Sequence, residues 1–202
     1  MNIVVVTGNH GFPEPEFDAV FESMPGVDFV REDITKFVAE PDRLRFETAV
    51  FYNYNQGSPD PATQEALLGL SAAGRGIVVI HHALLAYPEW PEWRNLCGID
   101  PVYNGTHNQT LPVHVADPDH PITAGLAHFD IVDEAFRMGV PYADRHVLLT
   151  VDHPSSMHDL AWTGTFQNSR VFCIQSGHDE RAFGTTGYRT VLDRAVRWTA
   201  SR

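Results

Sequence analysis

Residues 76–93, GIVVIHHALLAYPEWPEW, change character at one point. Ile77 to Ile80 form an unbroken branched apolar run, as expected of a strand covered on both faces in the interior of a parallel sheet. Two histidines follow at once, and the segment from Pro88 to Leu96 then reads as a short helix. A buried strand running into a helix is half of a βαβ unit, so the question is whether the flanking sequence repeats it.

It does. NIVVVT (2–7) is a second branched run, ended by Gly8. Phe17, Val20, Phe21 and Met24 then recur at helical spacing until Pro25-Gly26. VDFVRE (27–32) and ETAVFYN (47–53) are further strands. Asp60 followed by Pro61 is a helix start, Leu67, Leu68 and Leu70 give that helix an apolar face, and Gly74 ends it. This alternation predicts an α/β fold with a doubly wound, mainly parallel sheet and right-handed crossovers. From about residue 99 to 160 the pattern changes. TLPVHVAD, FDIVDEAF and HVLLTVD alternate apolar and polar residues as antiparallel strands do, and read as an antiparallel and loop insertion over the functional end of the sheet. SRVFCIQSG returns to core, and Tyr188, Val191, Leu192, Ala195, Val196 and Trp198 share one stripe of a closing helix. No repeat or linker divides the chain, which reads as one domain over 1–202.

A net charge of -12 with only 14 Lys and Arg argues against a nucleic-acid partner and an anionic membrane surface, and is compatible with a neutral sugar. The start has no signal-peptide pattern and no apolar run reaches membrane-spanning length, so a cytoplasmic protein is expected. Cys97 and Cys173 make no disulfide framework and read as buried small apolar residues.

Ligands of open α/β sheets bind beyond the carboxyl ends of the parallel strands. The residues expected there are His10, Asn53 to Asn55, His81 with His82, and His178 with Asp179 and Glu180. His81 is the leading candidate, because a strand-to-helix turn projects its first side chain into the crevice, as in a nucleophile elbow. No hydroxyl or thiol stands at this turn, so covalent acyl chemistry is not expected, and His81 is left as an acid, base or metal ligand. His82 points to a supporting role. Of Asp133 and Glu134, one is expected to face the cleft and the other solvent. His107 could reach over the sheet end, whereas His120 before Pro121 reads as a turn residue. Tyr54, Tyr87, Trp90, Trp93 and Tyr103 could wall a sugar site, and helix packing explains Trp93 equally well. No closely spaced metal motif or dinucleotide fingerprint occurs. A metal such as zinc would have to be assembled from distant residues, with His81, His107 and His178 as candidates.

GIVVIHHALLAYPEWPEWRNLCG, DHPITAGLAHFDIVDEAF and RVFCIQSGHDERAF, in this order before LDRAVRWTA, resemble the ThuA-like (trehalose utilisation) proteins over nearly the whole chain. The resemblance implies a flavodoxin-like sheet similar to that of class I glutamine amidotransferases. His81 stands where those enzymes carry their cysteine, so glutamine hydrolysis is not implied. It matches His81, Glu134, His178 and Asp179 to the family's site, with His10, Tyr54, His82, Tyr87, Trp90 and His107 expected around the substrate. It also implies carbohydrate catabolism beside an oxidoreductase that makes a 3-keto sugar. A lyase or hydrolase acting on such a glycoside is one expectation; a non-catalytic sugar-binding or regulatory protein is the other. Self-association is left open.

Overall fold

The computed structural model describes residues 1–100, 102 and 104–201; the Tyr103 of the expected aromatic wall lies outside them. Strands β1 (Asn2–Gly8), β2 (Asp28–Asp33), β3 (Thr48–Asn53), β4 (Gly76–Ile80) and β9 (Ser169–Ile174) pair in parallel in the order β2-β1-β3-β4-β9. Every residue of β3 and β4 is buried, as the unbroken apolar runs require.

The two faces are separate cores. Ile3, Val5, Val50, Val78, Ile80 and Phe172 point to one face, covered by α1 (Glu14–Glu22), α5 (Glu180–Gly184) and α6 (Thr186–Ala200). Val4, Val6, Phe51, Ile77, Val79 and Cys173 point to the other, covered by α2 (Ile34–Ala39), α3 (Pro61–Ala72) and α4 (Pro91–Cys97). Asp60 caps α3 as its sequence predicts, accepting from Thr63 N at 2.8 Å. In α6 the predicted stripe is buried, with Trp198 only partly so.

The middle of the chain is not a layer laid over the sheet. Strands β5 (Gly105–Val115), β6 (Phe129–Phe136), β7 (His146–Val151) and β8 (Asp159–Phe166) continue it antiparallel in the order β9-β8-β7-β5-β6, giving nine strands. β8 pairs with β9 over six residue pairs, so an antiparallel half is joined directly to the parallel one. The alternating pattern indicates strands correctly, but alternation cannot tell an extension of a sheet from a separate cover. Both cysteines are buried free thiols, and no helix of the described residues is long and apolar enough to cross a membrane.

Gly76 shows how closely α6 sits on β4. A Cβ there would lie 2.5 Å from Thr48 Oγ1 and 2.7 Å from the Thr199 carbonyl carbon. Gly76→Ala is therefore expected to lower the unfolding free energy by about 1–3 kcal/mol, the usual cost of overpacking, in a denaturant titration.

Candidate functional site

The carboxyl ends of β1, β3, β4 and β9 surround a cleft of about 230 Å³. His81 opens a short 3-10 turn (His81–Leu85) directly after β4 and has φ +55, left-handed backbone that turns its side chain out of the strand path. Its ring stacks on Phe136 at 4.6 Å, and its Nδ1 is 2.7 Å from the Gln175 carbonyl oxygen. A carbonyl only accepts, so Nδ1 carries the proton and the neutral ring offers a lone pair at Nε2.

Nε2 meets two other groups. It is 3.1 Å from His178 Nδ1 and 3.3 Å from Glu134 Oε2, and those two are 3.2 Å apart. His81 and Glu134 are buried and His178 half-buried. The hydrogen bond and charge of Glu134, helped by Asp133 and Asp179, hold the His178 imidazole above its ordinary pKa in spite of burial. Without a metal, Glu134 thus favours a proton on His178 where the two meet. The same three atoms are the one group among the described residues fit to hold a metal ion. Atoms about 2.1 Å from a tetrahedral zinc stand roughly 3.4 Å apart, close to the separations found here, and two imidazoles with a carboxylate are a common donor set.

Glu134 reaches the cluster because of its neighbour. Asp133 is fully buried, and its carboxylate accepts from Gly177 N at 2.6 Å, His178 N at 3.0 Å and Glu134 N at 2.8 Å. Burial pushes its pKa up, against the pull of His81 and these amides. Gln175 adds a second tie, donating from Nε2 to the Glu134 carbonyl at 2.7 Å. Gly177 has φ +123, and a Cβ there would run into Tyr188 Oη and Ile80 Cγ2; Tyr52 Oη donates to its carbonyl at 2.8 Å.

The other expected residues divide. His10, Tyr54, His82 and His107 line the cleft. His82 Nε2 donates to the Tyr52 carbonyl at 3.0 Å and its ring stacks on His10 at 4.0 Å. Burial first, then His81 and His10, push the His82 pKa down to about 2, and burial with the neighbouring imidazoles also lowers His10. His107 stands where the β5–β6 register shifts, a bulge that aims it at the cleft, with Nε2 3.6 Å from Glu134 Oε1. It is not one of the three converging atoms; Glu134 takes the place expected for it. Tyr87 and Trp90 do not line this cleft. They are packed in the core beside α4, edge to face at 6.1 Å, with Trp93, whose Nε1 donates to the Ala83 carbonyl. Asp179 caps α5 and pairs with Arg181, whose hydrogen bonds and charge outweigh burial and lower its pKa. The expectation that one of Asp133 and Glu134 faces solvent fails, because both are buried. His120 is a turn residue, its Nδ1 accepting from Ile122 N. Sequence reasoning passes over Gln175 and Phe136. A lone glutamine after a buried apolar run is the available signal for the first; the second is indistinguishable from core.

A mixed α/β sheet with imidazoles and a carboxylate gathered at the carboxyl ends of its parallel strands has these groups where folds of this class carry their ligand sites. The chain belongs to the ThuA family, described as trehalose utilisation, whose model matches residues 14–199. It is similar in structure to a ThuA-like protein of Parabacteroides merdae ATCC 43184 (TM-score 0.79, 23% identity, covering 100% of this chain and 90% of that one). It is also similar to a ThuA-like protein of Bacteroides uniformis ATCC 8492 (0.77, 19%, 98% and 91%). A cytoplasmic protein of Salmonella typhimurium LT2 shares the fold at 12% identity (0.73, 98% and 99%). No curated protein matches the sequence. Family membership places the chain in carbohydrate metabolism.

Two outcomes follow from this geometry. Asp133→Ala leaves three buried amides without their acceptor and is expected to cost about 3 kcal/mol or more in chemical denaturation. His82 binds no proton in the folded protein until near pH 2, whereas in the unfolded chain it does so near its ordinary value. Its contribution is thus full above about pH 6.5 and is lost on acidification, with a limiting slope of about 1.4 kcal/mol per pH unit. His82→Gln keeps a donor for Tyr52 and should remove about one proton from the pH dependence of stability.

Proposed function

We propose that the chain cleaves the glycosidic bond of a 3-keto sugar, such as an oxidised trehalose, by acid–base chemistry. The observation that supports this most is the meeting of His81 Nε2, Glu134 Oε2 and His178 Nδ1 within 3.1–3.3 Å beside an open cleft. A ketone at C3 acidifies the proton at C2. His81 Nε2, its lone pair set by the Gln175 carbonyl, takes that proton; the enolate expels the group at C1, which takes the proton shared by His178 and Glu134. Water adding to the resulting enone completes hydrolysis, and release of the enone instead makes the enzyme a lyase.

His81, Glu134 and His178 also suit a divalent ion such as zinc, which when bound would supply Lewis-acid polarisation of the keto oxygen. The lone pairs of His81 and His178 would then be taken, leaving His107 as the nearest imidazole to Glu134. The strand order β2-β1-β3-β4-β9 supports the flavodoxin-like, amidotransferase-like assignment. The absence of a thiol at His81 argues against glutamine hydrolysis. The Salmonella neighbour and the two free thiols support a cytoplasmic setting, where an oxidoreductase would supply the ketone.

The test is incubation of chelator-treated and zinc-loaded protein with 3-ketotrehalose, following sugar release by chromatography. Cleavage by both forms supports direct acid–base catalysis, and cleavage by the loaded form alone supports the ion. His81→Ala should slow either by about 10²-fold or more. Intact substrate in both forms, with sugar binding retained, would mean a non-catalytic sugar-binding protein.

A further inference from the structure

The cleft at the imidazoles, at about 230 Å³, is smaller than the roughly 300–1,000 Å³ of ordinary ligand pockets, and a disaccharide has two rings to place. A second cavity of about 350 Å³ opens at the same end of the sheet, between the β3 exit, α2 and the start of α3. The two are neighbours along the chain at both walls. Tyr54 lines the first and Asn55 the second; Leu85 lines the first and Tyr87 the second. We infer that this second cavity is a sugar subsite that receives the leaving-group ring of a disaccharide; the inference rests on the glycoside reading for what fills the first cleft.

Its chemistry suits a neutral polyol. Asn53, fully buried at the end of β3, donates from Nδ2 to Asn55 Oδ1 at 2.9 Å and to Tyr87 Oη at 3.4 Å. Both acceptors are thereby oriented, so the Asn55 amide N–H groups and the Tyr87 hydroxyl proton are left to donate elsewhere. Burial and the Asp60 charge push the Tyr87 phenol pKa up, keeping that proton in place. Hydrogen bonds from Thr63 hold the Asp60 carboxyl low, so it stays an ionised acceptor on the opposite wall. Ile34, Val38 and Pro59 add an apolar side for the carbon face of a ring. Asn53 Oδ1 itself is buried without a partner among the described residues, and Tyr87 holds φ +49, left-handed backbone that is strained at a bulky residue. Its N–H bonds the Asn55 carbonyl at 2.8 Å, fixing the two lining residues to each other. The Tyr87 hydroxyl is thereby held toward the Asn53 amide.

The experiment compares 3-ketotrehalose with methyl 3-keto-α-glucoside, which has no second ring, using Tyr87→Phe and Asn55→Ser. Each variant should lower the ratio of kcat/KM for the disaccharide to that for the methyl glycoside about tenfold, one hydrogen bond's worth. An unchanged ratio overturns the subsite and leaves the glycosidase reading standing. If the wild-type protein cleaves neither compound, the glycosidase reading fails. Calorimetry with unoxidised trehalose then decides the cavity: weaker binding by both variants supports it, and wild-type binding by both, or no binding by any, overturns it.

Discussion

The site depends on the carboxylate of Asp133. It lies on β6, at the far edge of the nine-stranded sheet, yet it accepts hydrogen bonds from Gly177 and His178, which follow the central strand β9. Two distant parts of the sheet are thus drawn into contact by one buried charge and the backbone amides around it. A neutral side chain could not satisfy those amides equally, and a charge without them would be costly to bury. Glu134 comes next on the same strand, so fixing Asp133 fixes where Glu134 meets the two imidazoles. Asp133 is not one of the three converging groups, yet it sets where they meet.

The parallel half is plain in the sequence, since a strand covered on both faces must be apolar throughout. Apolar–polar alternation is absent from the Ile3 to Val6 run and from GIVVI, and both lie in the sheet's interior. The strand-exit rule likewise yields His10, His81 and His178 from strand assignments alone. Where β6 lies is hidden. FDIVDEAF announces a strand, but its contact with the β9 exit depends on tertiary bending that leaves no periodic trace. For the same reason one of Asp133 and Glu134 passes for surface charge, and Tyr87 and Trp90, aromatic and close in sequence to His81, read as walls of a cleft they do not line. The single 3-10 turn from His81 to Leu85 is enough to carry them away from the imidazoles and into the core beside α4.

The imidazoles of the cleft differ in which of their atoms face a proton acceptor. The Gln175 carbonyl dictates the tautomer of His81, the Tyr52 carbonyl that of His82, and Glu134 the charge of His178. Backbone carbonyls thus hold His81 and His82 at opposite ring nitrogens, and a carboxylate acts on His178. A cluster of identical side chains has been made chemically unlike by its surroundings.

The position of β9 also governs how the protein can be made. Of the nine strands, the one that comes last in the sequence is placed in the middle of the sheet, between β4 and β8. Until residue 174 has left the ribosome, the edges of β4 and β8 that β9 covers lack their native partner. The chain must therefore wait, with both edges open to association, and complete its sheet and its site in one late event. A nascent chain of this design has its greatest need of chaperone protection in the interval before β9 emerges.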